Sequence, residues 1–98
     1  MNNDYVMKLS DDELFQLIKK QFGITVKDKN DIKGAWEVVE KLQAKPLEYY
    51  IEISRIPAIH FLDTKKSHWH VVLGDAFAHG DTAPLAICRA GLLAAMGD

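Results

Sequence analysis

The stretch from Asp81 to Met96 constrains this fold more than any other part of the chain. Read as a helix, it is apolar almost all the way round, and past its cap the only charge is Arg89. A helix with no polar face needs cover on every side, so it belongs between two layers. In a chain of 98 residues one layer is the protein's own sheet, and the other is more protein. The remaining elements have to be arranged around that requirement.

A chain of this length makes one domain, spanning residues 1–98, with a single core and little spare stability. Hydrophobic residues at 48% and charged residues at 27% are the balance of a soluble globular protein. The net charge is −2 and the basic residues are scattered, with short pairs only at Lys19-Lys20 and Lys65-Lys66. A duplex nucleic-acid groove needs a concentrated positive stripe, so nucleic acid is not expected as the main partner. The lone Cys88 cannot close an internal disulfide, and nothing calls for an oxidising compartment. The polar start Met1-Asn2-Asn3-Asp4-Tyr5 lacks signal-peptide order, and no apolar run is long enough to span a bilayer.

Ser10-Asp11-Asp12-Glu13 is a capping box, with acidic residues at the positive end of the helix dipole. Leu14, Leu17, Ile18 and Phe22 then share a face, and Gly23 stops the helix. A second helix starts near Asn30 or Asp31. Its stripe is Ile32, Ala35, Trp36, Val39 and Leu42, and Lys45-Pro46 closes it. Gly34 inside that helix implies close approach of a neighbour.

The period then changes from 3.6 to two. Tyr49, Ile51 and Ile53 alternate with Tyr50, Glu52 and Ser54 in a strand that Pro57 ends or bends. Segments 58–62 and 68–73 read as a hairpin across Asp63-Thr64-Lys65-Lys66-Ser67. Ile59, Phe61, Trp69 and Val71 share one face of it, and His60, His68 and His70 share the other. Gly74 to Gly80 reads as a loop, and Asp81 or Thr82 caps the last helix with Pro84 in its first turn. The expected fold is α+β: a three-stranded antiparallel sheet packed with helices, in the order helix-helix-strand-strand-strand-helix.

Two segments carry a family likeness. Gly34-Ala35-Trp36-Glu37-Val38-Val39-Glu40-Lys41-Leu42, paired with Thr82-Ala83-Pro84-Leu85-Ala86-Ile87-Cys88-Arg89-Ala90, resembles the small phage proteins grouped as the phage ABA sandwich domain. Leu9-Ser10-Asp11 leading into a helix is similar to the small lambdoid phage proteins called NinX. The resemblance covers about Leu9 to Ala95 and implies a compact α+β unit of phage or prophage origin, working in the host bacterial cytoplasm. It implies nothing about catalysis. Small accessory phage proteins often interfere with host machinery or defence, some by sequestering nucleotide immune signals, and this is an analogy of context alone.

Several residues are candidates for chemistry. His68 and His70 project from one strand face, with His60 joining them, and three imidazoles so placed suit a metal such as zinc. A fourth ligand is wanting, with only Glu52 or Asp63 on offer, and a solvated sheet face is the plainer account. Trp36 and Trp69 fall at core positions. Tyr49 and Tyr50 point to opposite faces, so one is available for stacking. Arg89 must meet a carboxylate such as Asp81 or Asp75, reach water, or face an anion, because burying it alone costs several kcal/mol. An internal ion pair is the default, although a guanidinium also suits phosphate. Gly80 and Thr82 stand where a helix start can hold an anion, with Phe77 and His79 placed to stack on a base. Asp81 competes for that site. Cys88 is a core residue.

The leading functional expectation is a non-enzymatic phage accessory protein that sequesters a nucleotide-type ligand at an oligomer interface. Tyr50, His68, Trp69, His70, Phe77, His79, Thr82 and Arg89 are its candidate ligand-binding residues, with no cofactor and no metal. A homo-oligomer, built through the C-terminal helix or the sheet, is expected because one sheet face looks too small to cover every apolar helix, and Ala86, Ala90, Gly91 and Ala94 would permit close helix contact. A host-protein inhibitor is the rival from another class. A metal-dependent phosphodiesterase or nuclease using His60, His68 and His70 is the third.

Overall fold

The computed structural model describes residues 3–43, 51–56, 68–74 and 76–96. The elements run α1 (Asn3–Lys8), α2 (Asp11–Phe22), α3 (Ile32–Gln43), β1 (Ile51–Ile56), β2 (His68–Leu73), β3 (Ala76–Gly80) and α4 (Ala83–Met96). The class is α+β, as the sequence indicates, with one more helix at the front. Val6 of α1 is fully buried, and its short polar surroundings offer no helical period to read.

The caps form as the chemistry dictates. Ser10 Oγ accepts from the Glu13 N–H at 3.2 Å, and the Glu13 carboxylate accepts from the Ser10 N–H at 3.0 Å. That bond holds the Glu13 carboxyl below its usual value. Gly23 closes α2 in the left-handed region at φ 73°, donating to the Lys19 carbonyl. Asp31 caps α3, accepting from the Gly34 N–H at 3.0 Å and from the Lys27 N–H at 2.9 Å. Gly34 is required because a Cβ there would lie 2.6 Å from Asp31 Oδ2 and 3.1 Å from the Thr25 carbonyl oxygen.

The sheet order is β1-β2-β3, antiparallel throughout. Ile53, Val71 and Ala78 stand side by side on the inner face, as do Trp69 and Gly80. β1 and β3 take both edges of β2; the segment 58–62, read as its hairpin partner, lies outside the described residues. The stretch read as a loop supplies β3 instead. Ala76, Ala78 and Gly80 alternate with Phe77 and His79, a period-two pattern whose inward positions have low strand propensity.

Those small residues are needed because α4 lies close. A Cβ on Gly80 would sit 2.8 Å from the Ala86 nitrogen. On its other side α4 meets α1, α2 and α3, and a Cβ on Gly91 would sit 2.6 Å from Val38 Cγ1. The apolar helix is therefore the middle layer of a sheet–helix–helices sandwich within one chain. Leu85, Ala86, Ile87, Cys88, Ala90 and Leu92 are all buried in it. Burial also pushes the Cys88 thiol up to about 12, so Cys88 is an inert core residue.

Two expectations change as a result. Ala86 meets the protein's own β3 and Gly91 its own α3, and Ala90 is buried, so these three are not free to admit a second copy, while Ala94 is half-buried. Trp36 is not core. It is 42% exposed beside Ile32 at 51%, while Ala35, Val38, Val39 and Leu42 are buried, with Val38 and Leu42 beside Gly91 of α4. The periodic stripe is wider than the buried one, because Ile32 and Trp36 lie on its outer edge.

Candidate functional site

The pleat sends alternate residues of β2 and β3 to the face turned away from α4. His68, His70 and Val72 come from β2, and Phe77 and His79 from β3, with Val72 opposite Phe77 and His70 opposite His79. Glu52 and Ser54 continue this face on β1. Phe77 is 49% exposed and the three imidazoles are half-buried.

The rings form one connected patch. His70 Nδ1 and His79 Nδ1 are 3.3 Å apart, a hydrogen bond in which one ring donates and the other accepts. Their centroids are 4.7 Å apart. His68 meets His79 edge-on at 5.3 Å, and Phe77 lies 6.0 Å from His70 and 6.5 Å from His79. Burial, then the neighbouring His70 and His68, lower the pKa of His79 below its ordinary 6.5. The lowered value favours the neutral His79 ring, which can then both stack and share a hydrogen bond with His70.

Four of the expected ligand residues, His68, His70, Phe77 and His79, thus come together. The third imidazole is His79; His60 and Tyr50 lie outside the described residues. The sequence alone places His79 near a helix start, whereas the Ala-Phe-Ala-His-Gly alternation is the signal that pairs it with His70.

The other expected ligand residues lie elsewhere. Trp69 faces the core and is half-buried against it. Thr82 caps α4: its Oγ1 donates to the Lys29 carbonyl and accepts from the Leu85 N–H at 3.4 Å. The helix start is thereby tied to the turn before α3, with its hydroxyl already engaged. Arg89 donates through Nη1 to the His79 carbonyl at 2.8 Å. Its partner among the described residues is this backbone oxygen and not a carboxylate, so the expected pairing with Asp81 is not made; Asp75 lies outside them. The Arg89 Nε is buried and has no partner among the described residues. Arg89 thus ties α4 to the strand segment that carries the His79 ring.

The architecture is that of a small layered α+β module with no helix of the described residues on the outer sheet face. The chain belongs to the phage ABA sandwich domain family, whose model matches residues 5–92, and it is a small phage protein. No curated protein and no solved structure matches it. Among the described residues no helix is long and apolar enough to cross a membrane. Among them, too, no group of three His, Cys, Asp or Glu residues is arranged to hold a metal ion.

Proposed function

We propose that this protein is a non-enzymatic binding module that takes a nucleotide-type ligand on its open sheet face. The observation that carries the reading is the cluster of His68, His70, His79 and Phe77, four flat side chains on two adjacent strands. A base stacked on such a surface gains about 1–3 kcal/mol per base and needs no sequence-specific partner. Imidazole nitrogens at the same level offer donors and acceptors to a base edge or a phosphate. Arg89 supports the patch from beneath by holding the His79 backbone, and does not contact the ligand.

Sequestration requires enclosure, since well-held small ligands bury most of their surface. An open sheet face cannot supply that alone. A second copy laid over the same face would make the pocket, with the sheet, the second of the two expected interfaces, as the contact between copies. The module would act in the host bacterial cytoplasm, where a nucleotide immune signal is one ligand of suitable chemistry.

Native mass spectrometry of the protein isolated from infected host cells, followed by heat release, tests this reading. The expected result is a dimer carrying extra mass, with an intact nucleotide recovered and the mass lost in Phe77→Ala. Recovery of a hydrolysed product would make the protein an enzyme. A bare monomer that takes up none of a panel of mono-, di- and cyclic nucleotides would overturn the proposal.

A second reading, inhibition of a host protein, is favoured by the exposed pair Ile32 and Trp36, one turn apart on α3. Exposed aromatic anchors of this kind are common centres of protein interfaces. Loss of a stoichiometric host partner in Trp36→Ala, with the sheet face intact, would support it.

A further inference from the structure

We infer that His70 and His79 form a binding site for a divalent transition-metal ion, taken between their Nδ1 atoms on the open sheet face. The two residues are direct cross-strand partners, so the sheet itself fixes the spacing of their Cβ atoms. Their Nδ1 atoms are 3.3 Å apart. Two imidazole nitrogens bound to one tetrahedral ion at ordinary metal–nitrogen lengths of about 2.0–2.1 Å stand about 3.3 Å from each other. The pair therefore already holds the separation a metal needs. What must change is a modest rotation of the rings, so that both lone pairs aim at one point off the line between the nitrogens, and a switch of the donor ring to its Nε2–H tautomer, its Nδ1 proton exchanging through water.

Imidazole pairs without carboxylates select zinc, copper or nickel over magnesium and calcium, which demand oxygen ligands. His68 lies on the same face with its ring centroid 5.3 Å from that of His79, a further imidazole beside the pair. No third group is in place among the described residues, so a bound ion keeps positions open to water or to an incoming ligand. That distinguishes the site from a closed structural one, and predicts that the protein folds without metal. The inference does not depend on nucleotide binding.

The test is titration of the chelator-treated protein with zinc chloride alone by calorimetry, beside copper(II) EPR to count nitrogen ligands. One ion per chain is expected, with two or more imidazole nitrogens in the EPR spectrum. His70→Ala and His79→Ala should each weaken zinc at least about tenfold. Circular dichroism of both variants establishes that they are folded. Absence of binding, a copper spectrum of oxygen ligands only, or a loss confined to His60→Ala or His68→Ala would overturn the inference.

Discussion

Replacing Gly91 with alanine probes the layered packing at its tightest point. A Cβ on Gly91 would lie 2.6 Å from Val38 Cγ1, well inside van der Waals contact. Val38 is fully buried, so its γ-methyl has no free space to turn into. Forcing the methyl in costs about 1–3 kcal/mol. The better helix propensity of alanine offsets roughly 0.8–1.0 kcal/mol of that. The net expectation is a destabilisation of about 1 kcal/mol, a fall in Tm of roughly 4–8 °C for a domain of this size. The companion change Val38→Ala removes two buried methyl groups at about 0.8 kcal/mol each, with a cavity cost added. In the double variant the methyl introduced by Gly91→Ala occupies part of the vacated space. The two changes should therefore combine to less than their sum, by about 0.5–3 kcal/mol. Urea denaturation of the four proteins, followed by far-UV circular dichroism, gives the cycle. If Gly91→Ala raises the midpoint and adds simply to Val38→Ala, α3 does not press on α4 at this point.

Other consequences follow from the same packing. Arg89→Ala removes a charge-assisted bond to the His79 carbonyl and should cost about 1.5–3 kcal/mol. Hydrogen exchange should show β3 amides loosened more than those of β1; equal loosening would deny Arg89 its hold on the strand. Trp36→Ala should cost clearly less than the roughly 3–5 kcal/mol of a core tryptophan, and acrylamide should quench Trp36 more readily than Trp69. The Asp31 carboxyl is held below its ordinary 3.8 by the Lys27 and Gly34 N–H groups, so the unfolded chain binds its proton first as pH falls. Stability from Asp31 is complete above that ordinary value and is lost as pH drops through the lowered one. In acid unfolding, Asp31→Asn should flatten this limb, and an unchanged acid limb would remove Asp31 as its source.

The sequence is most legible where local chemistry decides local structure. Ser10, Glu13, Gly23 and Asp31 state the bounds of α2 and the start of α3, because caps act within one turn. The middle layer is also legible, since a helix with no polar face admits only one kind of place. Strand β3 is hidden because its inward positions are Ala76, Ala78 and Gly80, chosen for the closeness of α4 rather than for strand propensity. That closeness is tertiary, and no local window contains it. The same concealment detaches His79 from His70, and so divides the candidate site between a sheet face and a supposed loop. Arg89 misleads for a related reason: its partner is a backbone carbonyl, which every residue carries and no sequence pattern marks. Trp36 shows the limit of periodicity, which gives the direction of a buried stripe but not its width.

The most direct test of the central claim is to titrate the isotope-labelled protein with a nucleotide panel while following the histidine ring and backbone signals by NMR. The account predicts shifts concentrated at His68, His70, Phe77 and His79, with the Arg89 side chain and the α4 start at Thr82 moving little. Shifts centred on Thr82 and Arg89, or on Ile32 and Trp36 of α3, would contradict it, as would a spectrum that no nucleotide changes.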